Sequence, residues 1–318
     1  MMGYSPLSER VRSRQGRRRQ VADGPFRSVP PGMDNIWVPV WSRRAALAGL
    51  SLRASCRPTV IGAHHAMWGL VALAGPRALP GPAVPWQPPM PAPVWEVLGE
   101  QWSASLHGYD GMAIYERPQA RRTGFGVLLL ERDRSVAFVK VTHGPGHGEA
   151  TWRALRALDH DPIRDCQVPR PLARGGHDGW SWMATTAIPW FPHRPARQPP
   201  IARIAADVSE RLRHAFSPAG VPDHWRPMHG DLAPWNLRRV GPRALWLLDW
   251  DDAGWGPPGA DAAYYEATIS LVRGRRPEPG SASDETVHFW IDRVESRLRA
   301  GIDLTYNVAL VTQLSGMA

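Results

Sequence analysis

Lysine and arginine together number 38 in this chain, and only one of them, Lys140, is lysine. Lysine is a compact point charge on a flexible stem, a shape that reaches between phosphate oxygens where a planar guanidinium does not. It closes an apolar, β-like run, Val136-Ala-Phe-Val-Lys140-Val. About ninety residues later comes His229-Gly-Asp231-Leu-Ala-Pro-Trp-Asn236, followed by Leu247-Leu-Asp249-Trp. The chain has three asparagines, Asn35, Asn236 and Asn307, and Asn236 falls five residues after Asp231 and thirteen before Asp249. Amide and carboxylate oxygens are ligands that Mg²⁺ prefers, with waters and phosphates completing an octahedron. Taken singly, each residue has an ordinary role: a turn tripeptide, a helix cap, a solvated strand end. Their order and spacing together are what point to chemistry.

The pattern His-x-Asp-x-x-x-x-Asn resembles the catalytic loop of protein kinases and their small-molecule relatives. Asp249 ends an apolar run, Ala244-Leu-Trp-Leu-Leu248, where kinases carry a metal-binding Asp-Phe-Gly, but Trp250 and Asp251 follow it here. With Pro234 and Gly254-Trp-Gly-Pro-Pro-Gly-Ala-Asp261, that departure makes roughly residues 100 to 300 resemble the aminoglycoside phosphotransferase and choline kinase superfamily. The resemblance implies an α+β, two-lobed, protein-kinase-like fold with a small antiparallel-sheet N-lobe and a mainly helical C-lobe. It also implies ATP and Mg²⁺, and transfer of the γ-phosphate to a small-molecule hydroxyl, with an aminoglycoside-like or amino-sugar acceptor as the leading expectation.

Phosphoryl transfer needs charge neutralisation, in-line positioning and an oriented hydroxyl more than covalent help. Under the resemblance Asp231 accepts or orients the hydroxyl proton, Asn236 and Asp249 hold the metal, and Lys140 holds the α and β phosphates. Glu149 opens a helix-like stretch running to Leu158, and a glutamate there pairs with the lysine in kinases. His229 and Asp261 are expected to brace the loop. Thr123-Gly124-Phe-Gly126 is similar to a phosphate-covering glycine loop, and the loop from Arg117 to Gly124 adds Arg121 and Arg122. The segment Trp180-Ser-Trp-Met183-Ala-Thr-Thr-Ala187 resembles the fifth strand and the hinge, which puts Thr185 and Ala187 at the adenine. A polycationic acceptor would need an acidic cleft, to which Asp249, Asp251, Asp252 and Glu266 contribute.

The elements that must carry these residues are legible in part. Alternating runs predict strands at 111–115, 126–130 and 136–141, the last two joined by a hairpin at Arg132-Asp-Arg-Ser135. Apolar spacing predicts a helix from Asp261 to Val272 and a second one capped by Ser283 or Asp284.

A chain of 318 residues, 43% hydrophobic and with sixteen tryptophans, has room for one two-lobed domain and an extension. The expected division is 1–95 as extension, 96–187 as N-lobe and 188–318 as C-lobe. The extension begins with a basic run, Arg10 to Arg19, and ends in a proline-dense stretch from Pro80 to Pro93. Such composition favours extended or disordered chain. Two other readings stand beside disorder: an upstream start of translation, with Met90 opening the folded part, or an anchor built on the apolar stretch Thr59–Gly75. A membrane span is not expected, because seventeen residues with two histidines and three glycines make a poor one. Two cysteines, Cys56 and Cys166, offer no disulfide framework, which suits a cytoplasmic home. The net charge of +9 is largely local, since residues 1–20 carry six arginines and one glutamate, so no nucleic-acid partner is expected. Two other functions suit these residues less well. A kinase-shaped nucleotide-binding scaffold leaves the full set of polar residues without a purpose. A metal-dependent hydrolase built on Asp249, Asp251 and Asp252 leaves Lys140 and Asn236 unexplained.

Overall fold

Side chains that alternate with a period of two set the first lobe, because each strand must bury one face or both. The computed structural model describes residues 24–29, 35–106, 108–116, 124–144, 148–241, 244–302 and 304–318. The basic run from Arg10 to Arg19 and the loop residues Arg117, Arg121, Arg122 and Thr123 lie outside these. In chain order come β1 (Pro25–Ser28), β2 (Ile36–Pro39), α1 (Arg43–Leu50), α2 (Pro58–Ala74), a 3₁₀ turn at Pro76–Ala78, β3 (Val84–Pro85) and α3 (Ala92–Ser105). Then follow β4 (Gly111–Glu116), β5 (Gly124–Glu131), β6 (Arg134–His143), α4 (Glu149–His160), β7 (Pro171–His177) and β8 (Trp180–Thr186). Eight strands form one antiparallel sheet in the order β3-β1-β2-β4-β5-β6-β8-β7.

The β5–β6 hairpin turns at Arg132 and Asp133, both with positive φ, the twist that suits a two-residue connection. Asp110 supports it by accepting a hydrogen bond from the Arg132 backbone N–H at 3.0 Å. Phe125, Val127 and Leu129 of β5 and Val139 and Val141 of β6 point to one face, where Leu98 and Trp102 of α3 cover them. Leu128 and Leu130 point to the other, with Ala113 of β4, and there Ala45 and Ala48 of α1 cover them.

The expectation of extended or disordered chain across 1–95 does not describe residues 36–95. Strand β2 pairs with β4, matching Ile36 with Tyr115, and α1 and α2 enclose an apolar cluster of Ile36, Val38, Leu47, Leu50 and Val71. The prolines misled because several occupy places where proline is welcome. Pro58 begins α2 and Pro93 lies in the first turn of α3, where a missing N–H costs nothing.

The second lobe holds β9 (His193–Pro195), α5 (Ile201–Arg211), β10 (Arg226–Met228), β11 (Leu237–Val240), β12 (Ala244–Leu247) and β13 (Gly254–Gly256). It ends in α6 (Ala260–Arg273), α7 (Asp284–Arg299) and α8 (Leu304–Ser315). Ser283 caps α7 by accepting from the Thr286 N–H at 3.3 Å. Tyr264 of α6 stacks on Trp290 of α7 with ring centres 4.2 Å apart, which fixes the helix pair beside the loop after β10. No helix among the described residues is long and apolar enough to cross a membrane.

Two buried histidines tie loops into this frame. His64 donates from Nε2 to the Leu50 carbonyl at 2.9 Å, and His193 donates from Nε2 to the Pro189 carbonyl at 3.0 Å. Burial pushes both down to about 4, with Arg238 opposing their charge, and His65 and Arg53 also opposing that of His64. Each therefore contributes stability that is present above the unfolded value of about 6.5 and is lost as pH falls toward 4. Burial of Asp231 and Asp261 raises both carboxyls and works in the opposite sense, so the comparison must be with a variant. Between pH 7 and pH 5 the parent should lose about 2 kcal/mol per histidine relative to His64→Gln/His193→Gln. Urea midpoints of both proteins at both pH values test this; parallel shifts would show that the histidines are not buried neutral.

Candidate active site

The turn between β10 and β11 is built around one carboxylate. Asp261, in the first turn of α6 and 3% exposed, accepts from the backbone N–H of His229 at 2.7 Å and of Gly230 at 3.0 Å. Gly230 has φ of +79°, and a Cβ there would lie 1.9 Å from the Asp252 carbonyl oxygen. Only glycine fits this close approach. The His229 ring is fully buried against Trp250, with ring centres 4.4 Å apart. Its Nε2 donates to the Leu248 carbonyl at 3.0 Å, and its Nδ1 accepts from the Asp231 N–H at 3.2 Å. Those partners fix the neutral tautomer with the proton on Nε2. Burial holds the ring below its usual range despite the nearby Asp261 and Asp249 carboxylates. With both nitrogens engaged, His229 braces the loop and has no free proton-transfer position.

The brace points Asp231 at Asn236. The Asn236 amide, 6% exposed, donates from Nδ2 to the Asp231 carbonyl oxygen at 2.9 Å and to its Oδ2 at 2.8 Å. Burial and the Asp249 carboxylate push Asp231 up to about 7, while Arg297 and the Asn236 hydrogen bond pull it back. The Asn236 carbonyl accepts from the Leu248 N–H at 2.9 Å, tying the loop to the end of β12, where Asp249 turns out with φ of +62°.

Lys140 reaches this group from the sheet. Its Nζ donates to Asp249 Oδ1 at 2.8 Å and to Asp251 Oδ2, and Thr151 of α4 donates to Asp251 Oδ1 at 2.9 Å. Lys140, Asp231, Asn236 and Asp249 thus share one site. Glu149 does not join them. Its carboxylate is taken by Arg153 at 2.9 Å and by Arg174 of β7, which hold it below the usual carboxylate range. The expected Lys140–Glu149 pair is replaced by Lys140–Asp251, with Thr151 as the contribution of α4. Thr185 is buried opposite Phe138, and Ala187 packs against the α1-covered cluster with Phe138. Gly124 faces Thr142, so the glycine opposite Lys140 is Gly126.

Two residues at the site escape sequence reasoning. Arg293 and Arg297 of α7 each approach Asp252 at 3.4 Å, and Arg297 also donates to the Tyr264 hydroxyl at 3.1 Å. Their i, i+4 spacing on a predicted helix was the available signal, but nothing in it names Asp252 as the target. Among the described residues no cluster of three or more His, Cys, Asp or Glu side chains is arranged to enclose a metal. Oxygen ligands from Asn236 and Asp249 alone suit Mg²⁺, which keeps several waters and uses few protein ligands.

A family model described as phosphotransferase enzyme family (APH) matches residues 87–300. Among solved structures, an aminoglycoside-3′-phosphotransferase of type VIII is 18% identical, with 57% of this chain and 84% of that chain covered and a TM-score of 0.39. The macrolide 2′-phosphotransferase MphH from Brachybacterium faecium is 16% identical, covering 60% and 88%, with a TM-score of 0.38. Amicoumacin kinase hAmiN, solved with AMP-PNP, Ca²⁺ and Ami, is 10% identical, covering 69% and 75%, with a TM-score of 0.39. No curated protein matches the chain.

The geometry of the turn makes its glycine indispensable. Gly230→Ala should cost roughly 3 kcal/mol or more, since it adds a Cβ at positive φ directly against backbone. Denaturant titration measures it; a loss below about 1 kcal/mol would mean that the Asp261 clamp does not fix the turn.

Proposed function

This chain belongs to the phosphotransferase enzyme family, and on that premise we propose that it transfers the γ-phosphate of ATP to a hydroxyl of a small molecule. The observation that carries the reading is the convergence of Lys140, Asp249 and Asp251 next to the Asp231–Asn236 pair. In the proposed reaction Lys140 moves its ammonium from the carboxylates to the phosphate oxygens, a short swing for a point charge on four methylenes. Asp231 receives the hydroxyl of the acceptor and holds its proton as the oxygen attacks. Asn236, with its amide nitrogen given to Asp231, offers Oδ1 to Mg²⁺, and Asp249 offers a carboxylate oxygen. When bound, the cation neutralises charge on the transferring phosphates. His229 and Asp261 keep the loop in register without touching the reacting atoms.

The acceptor is read from the charges around it. Asp251 is met by Lys140, Asp252 by Arg293 and Arg297, and Glu266 by Arg275 at 2.8 Å. Of the acids expected to welcome a polycation, Asp252 and Glu266 thus have arginines of their own, while Asp249 and Asp251 share Lys140. The proposed acceptor class is a hydroxyl-bearing amino sugar or antibiotic of low positive charge, with a polycationic aminoglycoside as the less favoured member. Screening ADP release across neutral, anionic and polycationic hydroxyl compounds tests the proposal; a panel that responds only to polycations would reverse the preference.

Two variants separate the roles. Asp231→Asn should keep nucleotide affinity while kcat falls by about 10²–10⁴-fold, the pattern of an interaction made in the transition state. Asp249→Asn should weaken the magnesium dependence of ATP binding as well as the rate, because a carboxylate ligand becomes a neutral amide. Titrating Mg²⁺ against ATP affinity in both decides, and equal responses would sink this division of labour.

Lys140→Arg keeps the charge but enlarges it into a plane. Turnover should fall sharply, and an arginine variant as active as the parent would make Lys140 an ordinary strand residue.

A further inference from the structure

The face of the sheet that carries Lys140 is covered in part, over Ala113, Leu128 and Leu130, by the chain itself. Strand β6 alternates, so Lys140 shares its face with Phe138, whereas Val139 and Val141 look toward α3. Across the ladder Lys140 pairs with Gly126 and Phe138 with Leu128, which places Leu128 on the Lys140 face too. Leu128 packs in the cluster formed by Ala45 and Ala48 of α1, with Leu52, Phe138, Ala187 and Trp190 against it. Under the phosphotransferase reading this is the side of the sheet from which Lys140 meets phosphates, and Ala187 belongs to the expected adenine hinge. The Phe138 ring lies over Gly126, where a Cβ would be 2.4 Å from its Cζ. Trp68 of α2 stacks on Trp190 at 5.9 Å, extending the cover along the segment that leads into the second lobe.

The same segment reaches the second lobe. Arg238, two residues beyond Asn236, is 3% exposed and its Nη1 has no hydrogen-bond partner. Cys56, in the stretch joining α1 to α2, and Tyr115 of β4 are its electrostatic neighbours. A buried guanidinium with an unpaired donor is costly, because leaving a buried polar group unsatisfied forfeits its solvation, and more so when charged. Helix α1 meets the sheet through Ala45, Ala48 and Gly49, while its Leu47 and Leu50 enter the apolar cluster with Val71 of α2. A buried guanidinium with one unpaired donor, beside the chain that follows α1, regains solvation if that chain moves away.

We propose that residues 43–57, α1 and the chain after it, form an intramolecular cover over the nucleotide side of the sheet, and that nucleotide binding requires it to move away. The inference rests on the phosphotransferase reading of the site. It makes the free chain mostly closed, so the apparent nucleotide affinity is reduced by the fraction of molecules that are open. Opening frees the Lys140 face and exposes Arg238 to water or to a ligand.

Full-length protein provides the test. Gly49 lies so close to the sheet that a Cβ there would be 2.8 Å from Pro39 Cδ and 3.2 Å from Ala113 Cβ. Gly49→Leu should therefore lever α1 off and tighten Mg-ATP binding, by calorimetry, by about tenfold or more. In the parent, hydrogen exchange should show amides 45–52 losing protection when Mg-ATP is added, while those of α3 and β5 keep theirs. This second measurement stands even if Gly49→Leu fails to fold. Nucleotide binding that leaves amides 45–52 equally or better protected would overturn the cover and leave the phosphotransferase reading intact. If neither the parent nor a folded Gly49→Leu protein binds nucleotide, both readings fall together.

Discussion

The ammonium of Lys140 meets two carboxylates that arrive from the other lobe, and holding that meeting is what the surrounding elements do. Lys140 sits mid-strand, with β5 on one side and β8 on the other. Asp249 and Asp251 leave β12 two residues apart, and Thr151 of α4 steadies the second of them. The carboxylates are about a third exposed, at 38% and 32%, so the pairs themselves contribute little to stability, on the order of 0–1 kcal/mol each. Their value is positional. The stable part of the arrangement is the fully buried scaffold behind it, in which Asp261 takes two backbone N–H groups and His229 links Asp231 to Leu248.

That division explains which parts of the molecule were legible in the sequence. The strands at β4, β5 and β6 were readable because a sheet that buries its faces leaves a period-two record, and the hairpin between the last two announced itself in polar turn residues. The loop from His229 to Asn236 was readable because a short, tightly turned segment fixes its polar residues at set separations. Glu149 was misdirected for a geometrical reason. In a helix, residues two apart point about 200° away from each other. When Thr151 faces Asp251, Glu149 must face elsewhere, and Arg174 and Arg153 are there to meet it. The segment from Ile36 to Ser105 was hidden by its own composition. Proline and alanine density carries no strong apolar period, yet small residues are what a helix needs to lie close against a sheet, as Gly49 does against Ala113.

The charge balance of the site could not be read from sequence at all. Arg293 and Arg297 are four residues apart on α7, forty-one and forty-five residues beyond the aspartate they meet. Only the packing of α7 on α6, through Tyr264 and Trp290, brings them to Asp252. Arg293 lies 5.5 Å from the centre of the Phe289 ring, so its planar cation is held by an aromatic face as well as by the carboxylate. Arg297 has a second duty, since the Tyr264 hydroxyl also draws on it and its charge opposes the rise of Asp231. A single helix thus sets both the local acid supply and the ease with which Asp231 carries its charge.

Two cations of this chain show why arginine and lysine are not exchangeable in it. Arg238 is buried, and burial pulls it down to about 10 while its Nη1 goes without a partner. Five donors in a fixed fork are hard to satisfy in an enclosed space. Lys140, 16% exposed, gathers two carboxylates on a single atom and needs no planar alignment to do so. A point charge can pass from those carboxylates to another set of oxygens by rotating about its own stem, without the sheet moving. A fork held by two carboxylates would have to break its alignment with both at once. In a chain that uses arginine for every other side-chain cation of this kind, the one lysine falls at the place where, in the proposed reaction, a charge changes partners.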